Sequence, residues 1–422
     1  MLAHVLGAAR ALAPRKIIVV HGHGAEQVRT AFKEADIEWA LQADQLGTGH
    51  AVRQAMPHVG QGADVLILYG DVPLVRADTL KRLAAAAAEG VAVLTAELDD
   101  PSGYGRIVRQ GEERIARIVE HKDASPAELE IREINAGFMA LSAARLAAWL
   151  GRITNKNAQK EYYLTDVVSL AVAEGVPVRP VKVADAVEVA GVNSKVELAA
   201  MERALQARQA RALLEDGVSL ADPGRLDIRG TLKCGRDVFI DVNCVFEGDV
   251  RLGDGVRIGA NCVVRKATLA EGTEVLPFSH LDDCEVGKRC RLGPYARLRP
   301  GSQLAEDVHV GNFVEVKASR MGIGSKANHL SYIGDSELGS GVNIGAGTIT
   351  CNYDGVAKHK TIIEDDCFIG SDATLVAPVR ISKGSYIGAG STITKDTPAG
   401  QLTVARAKQV AVPGWKPPKK KG

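Results

Sequence analysis

Aromatic side chains make up only 4% of the 422 residues, whereas glycine occurs 44 times. That balance suits a coiled repeat better than a core of packed rings. None of the seven cysteines (Cys234, Cys244, Cys262, Cys284, Cys290, Cys351, Cys367) forms a Cys-x-x-Cys pair. Zinc-finger spacing is therefore absent, and the thiols read as reduced, small apolar side chains of a cytoplasmic protein. No apolar run reaches the roughly 20 residues of a membrane-spanning helix, and the chain does not open on a basic-then-apolar leader. An excess of either charge is missing too: 52 Lys and Arg stand against 51 Asp and Glu. This argues against general nucleic-acid binding. The C-terminal Lys-Pro-Pro-Lys-Lys-Lys-Gly reads as a solvated end.

Three patterns follow one another along the chain. Up to about residue 193, short apolar runs alternate with helical stretches. Lys16–His21, Asp64–Tyr69 and Val91–Thr95 read as strands, with helices over Glu26–Lys33 and Thr79–Ala88. That order predicts a Rossmann-like α/β domain over 1–193 with a mostly parallel sheet covered on both faces. Residues 194–216 contain neither Pro nor Gly, and Leu198, Met201, Leu205 and Leu213 recur near helical spacing, which predicts a linking helix. From about Ile228 to Ile393 the period becomes six. Val286, Leu292, Leu298, Leu304, Val310 and Val316 mark one run; Ile363, Ile369, Leu375, Ile381, Ile387 and Ile393 mark another. Neither a helix nor an ordinary strand has that period. Three hexads close one triangular coil, so 217–422 is expected to form a left-handed parallel β-helix of roughly nine coils with a C-terminal tail. The polar stretch Thr350–Lys360 interrupts the period and is expected to be expelled as a loop on a binding face.

Several residues in the coil carry chemistry. His329 lies where the repeat loosens, and imidazole, with an unperturbed pKa of about 6.5, suits a base acting near neutrality. Arg299 and Lys317 are 18 positions apart, one coil apart on one face, and such a cation pair suits a phosphate; a solvated charge ladder is the competing reading. A zinc site would need His280, His309 and His329 to converge, and their phases in the hexads predict that they do not. In the first domain, Asp71 ends a strand, where a carboxylate faces the ligand crevice and could hold Mg²⁺.

These features occur with Leu46-Gly-Thr-Gly-His50, Tyr69-Gly-Asp-Val-Pro73, Gly103-Tyr-Gly-Arg106, Val119-Glu-His-Lys122, Glu133-Ile-Asn135, Glu161-Tyr-Tyr163, Gly311–Lys317, Asn343–Thr348 and Cys351-Asn-Tyr-Asp-Gly355. In that order they resemble the bacterial bifunctional N-acetylglucosamine-1-phosphate uridyltransferase/glucosamine-1-phosphate acetyltransferase family, from Met1 to the tail. The resemblance implies acetyl transfer from acetyl-CoA to the amine of glucosamine-1-phosphate, with His329 as general base. Arg299 and Lys317 would hold the phosphate, and Tyr332, Asn343 and Lys358 would line the sugar pocket. Asn352 and Tyr353 would position acetyl-CoA and the reacting groups, with Ala346, Ser371, Ala389 and Arg406 completing the coenzyme site. Attack would be direct, so Cys351 is not needed as a nucleophile.

It further implies uridylyl transfer from UTP to N-acetylglucosamine-1-phosphate, with Mg²⁺ held by Asp71 and Asn193. Gln42, Gly47 and Thr48 would meet the uracil, Tyr69 and Gly70 would flank the nucleotide beside Asp71, and Gly105, Glu120 and Asn135 would bind the acetylated sugar. A homotrimer sharing its acetyl sites is implied as well. The family's opening strand and Leu-x-Ala-Ala-Gly-x-Gly-Thr-Arg-Met-type loop find no counterpart in this chain. A misassigned start is the preferred account over a true truncation. The 422 residues as written are expected to carry acetyl transfer with weak or absent uridylyl transfer. A non-catalytic sugar-nucleotide-binding or assembly subunit, or a nucleotidyltransferase for another sugar, would not need His329, Asn352 and Tyr353 together with the Arg299/Lys317 pair.

Overall fold

The computed structural model describes residues 1–418; residues 419–422 of the basic tail lie outside them. The chain divides into two compact units, Met1–Ala204 and Leu205–Gly422.

In the first unit, β1 (Ile17–His21) and β2 (Ile37–Leu41) pair in parallel as a separate two-stranded sheet. The main sheet contains β3 (Asp64–Ile67), β4 (Val91–Glu97), β5 (Arg106–Arg109), β6 (Ile115–Val119), β7 (Glu133–Ser142) and β8 (Val178–Lys182), in the order β6-β5-β7-β4-β8 with β3 on β7. Only β4 and β8 run parallel; β7 runs against β3, β4 and β5. The expectation of a mostly parallel sheet is corrected by β7. Its Gly137 adopts a left-handed φ of 85° in the middle of an apolar run, so the strand lacks a clean alternating pattern. β4 is buried along Val91–Ala96, as a strand covered on both faces must be. Its alternate side chains feed two cores: Val91 and Val93 pack with Trp149 and Leu146, Ala92 and Leu94 with Leu80, Leu83 and Phe138.

The helix predicted over 194–216 spans Lys195–Glu215. Its buried face is Gln206, Ala210 and Leu213, while Leu198 is 45% exposed, so the apolar spacing marks its inward face only at the C-terminal end. Gln206 donates from Nε2 to the Ile228 carbonyl at 2.9 Å and accepts the Ile228 N–H at 2.8 Å, which satisfies both backbone groups at the rim of the first long strand, Leu226–Cys234.

The second unit is the expected coil of parallel strands. One face is an 11-stranded sheet running from Ser219–Leu220 to Leu402–Thr403; the other two are joined in a 17-stranded sheet. The coil therefore starts before and ends beyond the span where the hexads are regular. Leu298, Val316, Ile333, Leu375 and Ile393 stack inward and are buried. Partners are 18 positions apart at Arg297↔Glu315 but 17 at Glu315↔Tyr332. At the loop, Ile349 pairs with Thr374, 25 positions on, so the residues after Cys351 leave the coil as expected. Cys244, Cys262, Cys284, Cys290 and Cys367 are buried; Cys234 and Cys351 are half-buried. At one corner Phe278, Tyr295 and Phe313 take left-handed φ and stack outward, ring centres 5.0 and 5.1 Å apart. No helix among the described residues is long and apolar enough to cross a membrane.

Candidate active sites

In the first unit, backbone bonds between loops gather the predicted residues. Asn135 N–H donates to the Gly105 carbonyl at 2.9 Å, and Asn135 Oδ1 accepts the Gly137 N–H at 3.0 Å. A side chain at Gly137 would run into the Tyr69 ring, so this glycine makes the seat for that ring. Burial pushes the Tyr69 hydroxyl up to about 12 despite its hydrogen bond with Thr48. Thr48 Oγ1 accepts the Leu164 N–H at 3.1 Å. Gly47 has φ 102°, and an added Cβ would lie 2.8 Å from the Tyr162 carbonyl, so both torsion and space require glycine there. Gln42 donates to the Gly47 carbonyl at 3.2 Å and lies 3.1 Å from His50 Nδ1. Glu120 accepts from the Thr165 hydroxyl at 2.8 Å, and burial raises its carboxyl above the ordinary range. A Cβ on Gly105 would sit 3.4 Å from Glu120, so those two share one pocket wall.

Asp71 and Asn193 come together through the backbone. Val192 N–H donates to the Asp71 carbonyl at 3.0 Å, and buried Glu188 anchors the same segment by accepting the Arg76 N–H at 2.9 Å. The Asp71 carboxylate and the Asn193 amide both approach the place where a Gly191 Cβ would be, at 4.0 and 3.9 Å. One carboxylate and one amide over a space kept open by glycine fit Mg²⁺, which takes few protein ligands and retains water. Gly70, beside Asp71, leaves room against Leu2.

In the coil, His329 ends the strand Lys326–His329, directly paired with Asn312 in the register. His329 Nδ1 lies 2.8 Å from Asn312 Oδ1. An N–H on Nδ1 would donate there and leave Nε2 as a lone pair, the form a base requires. Both line an open groove of about 470 Å³ with His309, Tyr295 and Phe313. His309 and His329 share the 11-stranded sheet but stand opposite Lys326 and Asn312 respectively, so their phases differ as expected, and His280 is on the other sheet. Among the described residues no three His, Cys, Asp or Glu side chains converge as a metal site.

Around the corner Leu330–Ser331, the adjacent face carries the cations. Arg299 and Lys317 lie one coil apart, with the Arg299 N–H on the Val316 carbonyl. Each also meets a carboxylate that sequence reasoning missed: Arg299 donates to Glu315 at 2.8 Å, and Lys317 to Asp335 at 3.2 Å. The signal was available, since Asp335 stands 18 positions after Lys317, as Asn312 stands 17 before His329. Lys358 reaches back from the loop to Lys317, and the neighbouring ammonium pushes it below the ordinary lysine range. Asn352, 8% exposed, donates to Asp335 and lies 3.4 Å from the Tyr332 hydroxyl. Thus Arg299, Lys317, Tyr332, Asn352 and Lys358 form one cluster. Asn343 instead starts the strand beside Lys326, on the His329 face. Tyr353 is 61% exposed, with its hydroxyl on the Gly355 carbonyl. Ala346, Ser371 and Ala389 form a column on successive coils: the Asp372 N–H donates to the Ala346 carbonyl, the Gly390 N–H to that of Ser371, and Arg406 to that of Ala389 at 2.6 Å.

A Rossmann-like unit with a carboxylate–amide pair and a hexad coil with a base and a cation cluster define a nucleotidyltransferase joined to an acyltransferase. Family models agree in parts: a MobA-like NTP transferase domain matches residues 1–220, a GMPPB C-terminal domain 228–327, and a hexapeptide repeat of succinyl-transferase 360–395. The chain is 62% identical over its full length to the bifunctional protein GlmU of Chromobacterium violaceum, covering 92% of that protein. The GlmU proteins of Azoarcus sp. and Bordetella parapertussis are 60% and 59% identical over the whole chain, each covered to 93%. The chain belongs to the family of bifunctional GlmU transferases.

Proposed function

We propose that the two units carry the two transfers of that family: acetylation of glucosamine-1-phosphate by acetyl-CoA, then uridylyl transfer from UTP to N-acetylglucosamine-1-phosphate. The product, UDP-N-acetylglucosamine, feeds peptidoglycan and lipopolysaccharide synthesis in the cytoplasm. In the first step the sugar phosphate meets Arg299, Lys317 and Lys358, while Tyr332 and Asn343 line the sugar pocket. The amine lone pair attacks the thioester carbonyl, His329 Nε2 takes the ammonium proton, and the C–S bond breaks to release the coenzyme thiolate, which takes that proton back from the imidazolium and leaves as the thiol. Asn352 and Tyr353 orient the reacting groups, and Ala346, Ser371, Ala389 and Arg406 line the coenzyme. The observation that carries the reading is the pairing of His329 with Asn312 next to a face bearing three cations. Within one chain a corner separates the imidazole from those cations, which favours a homotrimer in which each acetyl site is shared between chains.

In the second step Gln42, Gly47 and Thr48 hold the uracil, Tyr69 and Gly70 flank the nucleotide, and Gly105, Glu120 and Asn135 hold the acetylated sugar. Mg²⁺ at Asp71 and Asn193 would neutralise phosphate charge. A paired assay tests the reading: thiol release with acetyl-CoA and glucosamine-1-phosphate, and pyrophosphate release with UTP, Mg²⁺ and N-acetylglucosamine-1-phosphate. His329→Ala is expected to cut thiol release by about 10²–10⁴-fold and leave pyrophosphate release as it was. Undiminished thiol release would overturn the role of His329; silence of the unmodified chain in both arms would favour a non-catalytic subunit.

A further inference from the structure

The expelled loop is shaped by one carboxylate to which neither transfer assigns a part. Asp354 Oδ1 accepts the N–H groups of Val356 at 2.8 Å and Ala357 at 2.7 Å, and its Oδ2 lies 2.7 Å from His359 Nε2. Its own N–H donates to the Ala357 carbonyl at 3.2 Å. These bonds, the Ala357 N–H first, hold its carboxyl far below the usual carboxylate range. Across the same turn Tyr353 bridges to Lys358 as an antiparallel pair, and the His359 N–H donates to the Asn352 carbonyl at 2.8 Å. Val356 at the tip is 93% exposed, so polar bonds rather than apolar packing within this chain set the shape of the turn.

That shape has a consequence for charge. One arm directs Asn352 to Asp335 and Tyr332; the other delivers Lys358 to Lys317. Two ammonium groups side by side repel, and a lysine on an unanchored loop would swing into water. Something must hold Lys358 in place before a dianion arrives to compensate it, and the Asp354 bonds are the ones that close its hairpin.

We propose that Asp354, with His359 on its second oxygen, is a positioning residue for acetyl transfer that keeps Lys358 beside Lys317 ready for the sugar phosphate. This rests on the reading of Lys317 and Lys358 as phosphate ligands. Asp354 itself touches no reacting atom.

The test is a double-mutant cycle on the full chain, with Asp354→Ala, Asp354→Asn, Lys358→Ala and the double variants. Steady-state acetyl transfer is measured with each substrate varied, and circular dichroism with a thermal melt of each variant serves as the control for folding. Asp354→Ala is expected to raise KM for glucosamine-1-phosphate about tenfold, with KM for acetyl-CoA within about twofold. Asp354→Asn, which keeps an acceptor for the two N–H groups, should raise it only about threefold. On a Lys358→Ala background neither change should add to the KM, because the route is already cut. Multiplying effects, or an unchanged KM in Asp354→Ala when Lys358→Ala raises it, would overturn the proposal. An unchanged KM in Lys358→Ala would instead overturn the phosphate reading beneath it. If Asp354→Ala does not fold, the cycle is read from Asp354→Asn, where the same multiplication defeats the idea.

Discussion

The two units route their backbone hydrogen bonds over different distances. In the first, Asp64 pairs with Ser142, 78 positions on, and β7 ties together strands from both halves of the unit. In the coil most rungs pair with the rung 17 or 18 positions away; the spacing is 25 across the loop, 20 at the first rung and 16 at the last. A site in the first unit is consequently assembled by convergence: Thr48, Tyr69, Glu120, Asn135 and Asn193 arrive on separate segments. A site in the coil is assembled by stacking, since residues one turn apart are neighbours by construction. The same contrast governs damage. Contacts of high sequence separation are lost together, whereas a solenoid's stability is roughly a sum of its repeats and their interfaces.

Four measurements would break or sharpen that contrast. The largest effect is expected for Phe138→Ala, a fully buried ring in the first unit: about 3–5 kcal/mol in denaturant melts, with uridylyl transfer lost and acetyl transfer kept. Leu375→Ala in the coil, also fully buried, should cost about 2–5 kcal/mol and show the reverse pattern of activities. If either substitution silenced both reactions equally, the units would not be separable in this sense. Next comes Asn312→Ala, which frees the His329 ring and should lower kcat for acetylation about tenfold with a displaced pH–rate profile; an unchanged profile would remove the orienting role. The smallest effect concerns Glu120, whose carboxyl is raised by burial. The folded state then binds the proton more tightly than the unfolded chain, so stability is greatest below the ordinary glutamate pKa and declines as pH rises through the raised value. Glu120→Gln should flatten that decline in melting curves taken across the acid range and weaken sugar-nucleotide binding about tenfold.

Legibility in the sequence follows the same division. The coil was readable because its period reports the structure directly: Arg299 over Lys317 and the loop after Cys351 fall out of counting. The missed partners Asp335 and Asn312 obey that count as well, whereas Glu315 stands 16 positions from Arg299; carboxylates and amides on a charged surface gave no reason to single any of them out. In the first unit, β4 announced itself as an unbroken apolar run, whereas β7 was hidden by Gly137 and turned an expected parallel sheet into a mixed one. Thr165, which holds Glu120, stands 45 positions from it with no periodicity to connect them. The separation of His329 from the cation cluster by a corner was not visible either, because hexad arithmetic gives phase along the chain but not which faces a small substrate can span.

Gln206 has a consequence beyond local satisfaction of Ile228. A stack of parallel rungs ends in a row of unpaired N–H and C=O groups, and such a rim can recruit the rim of another stack and grow into a fibre. By turning its amide onto both backbone groups of Ile228, Gln206 covers the first rung at that residue and withdraws those two groups from any such end-to-end pairing.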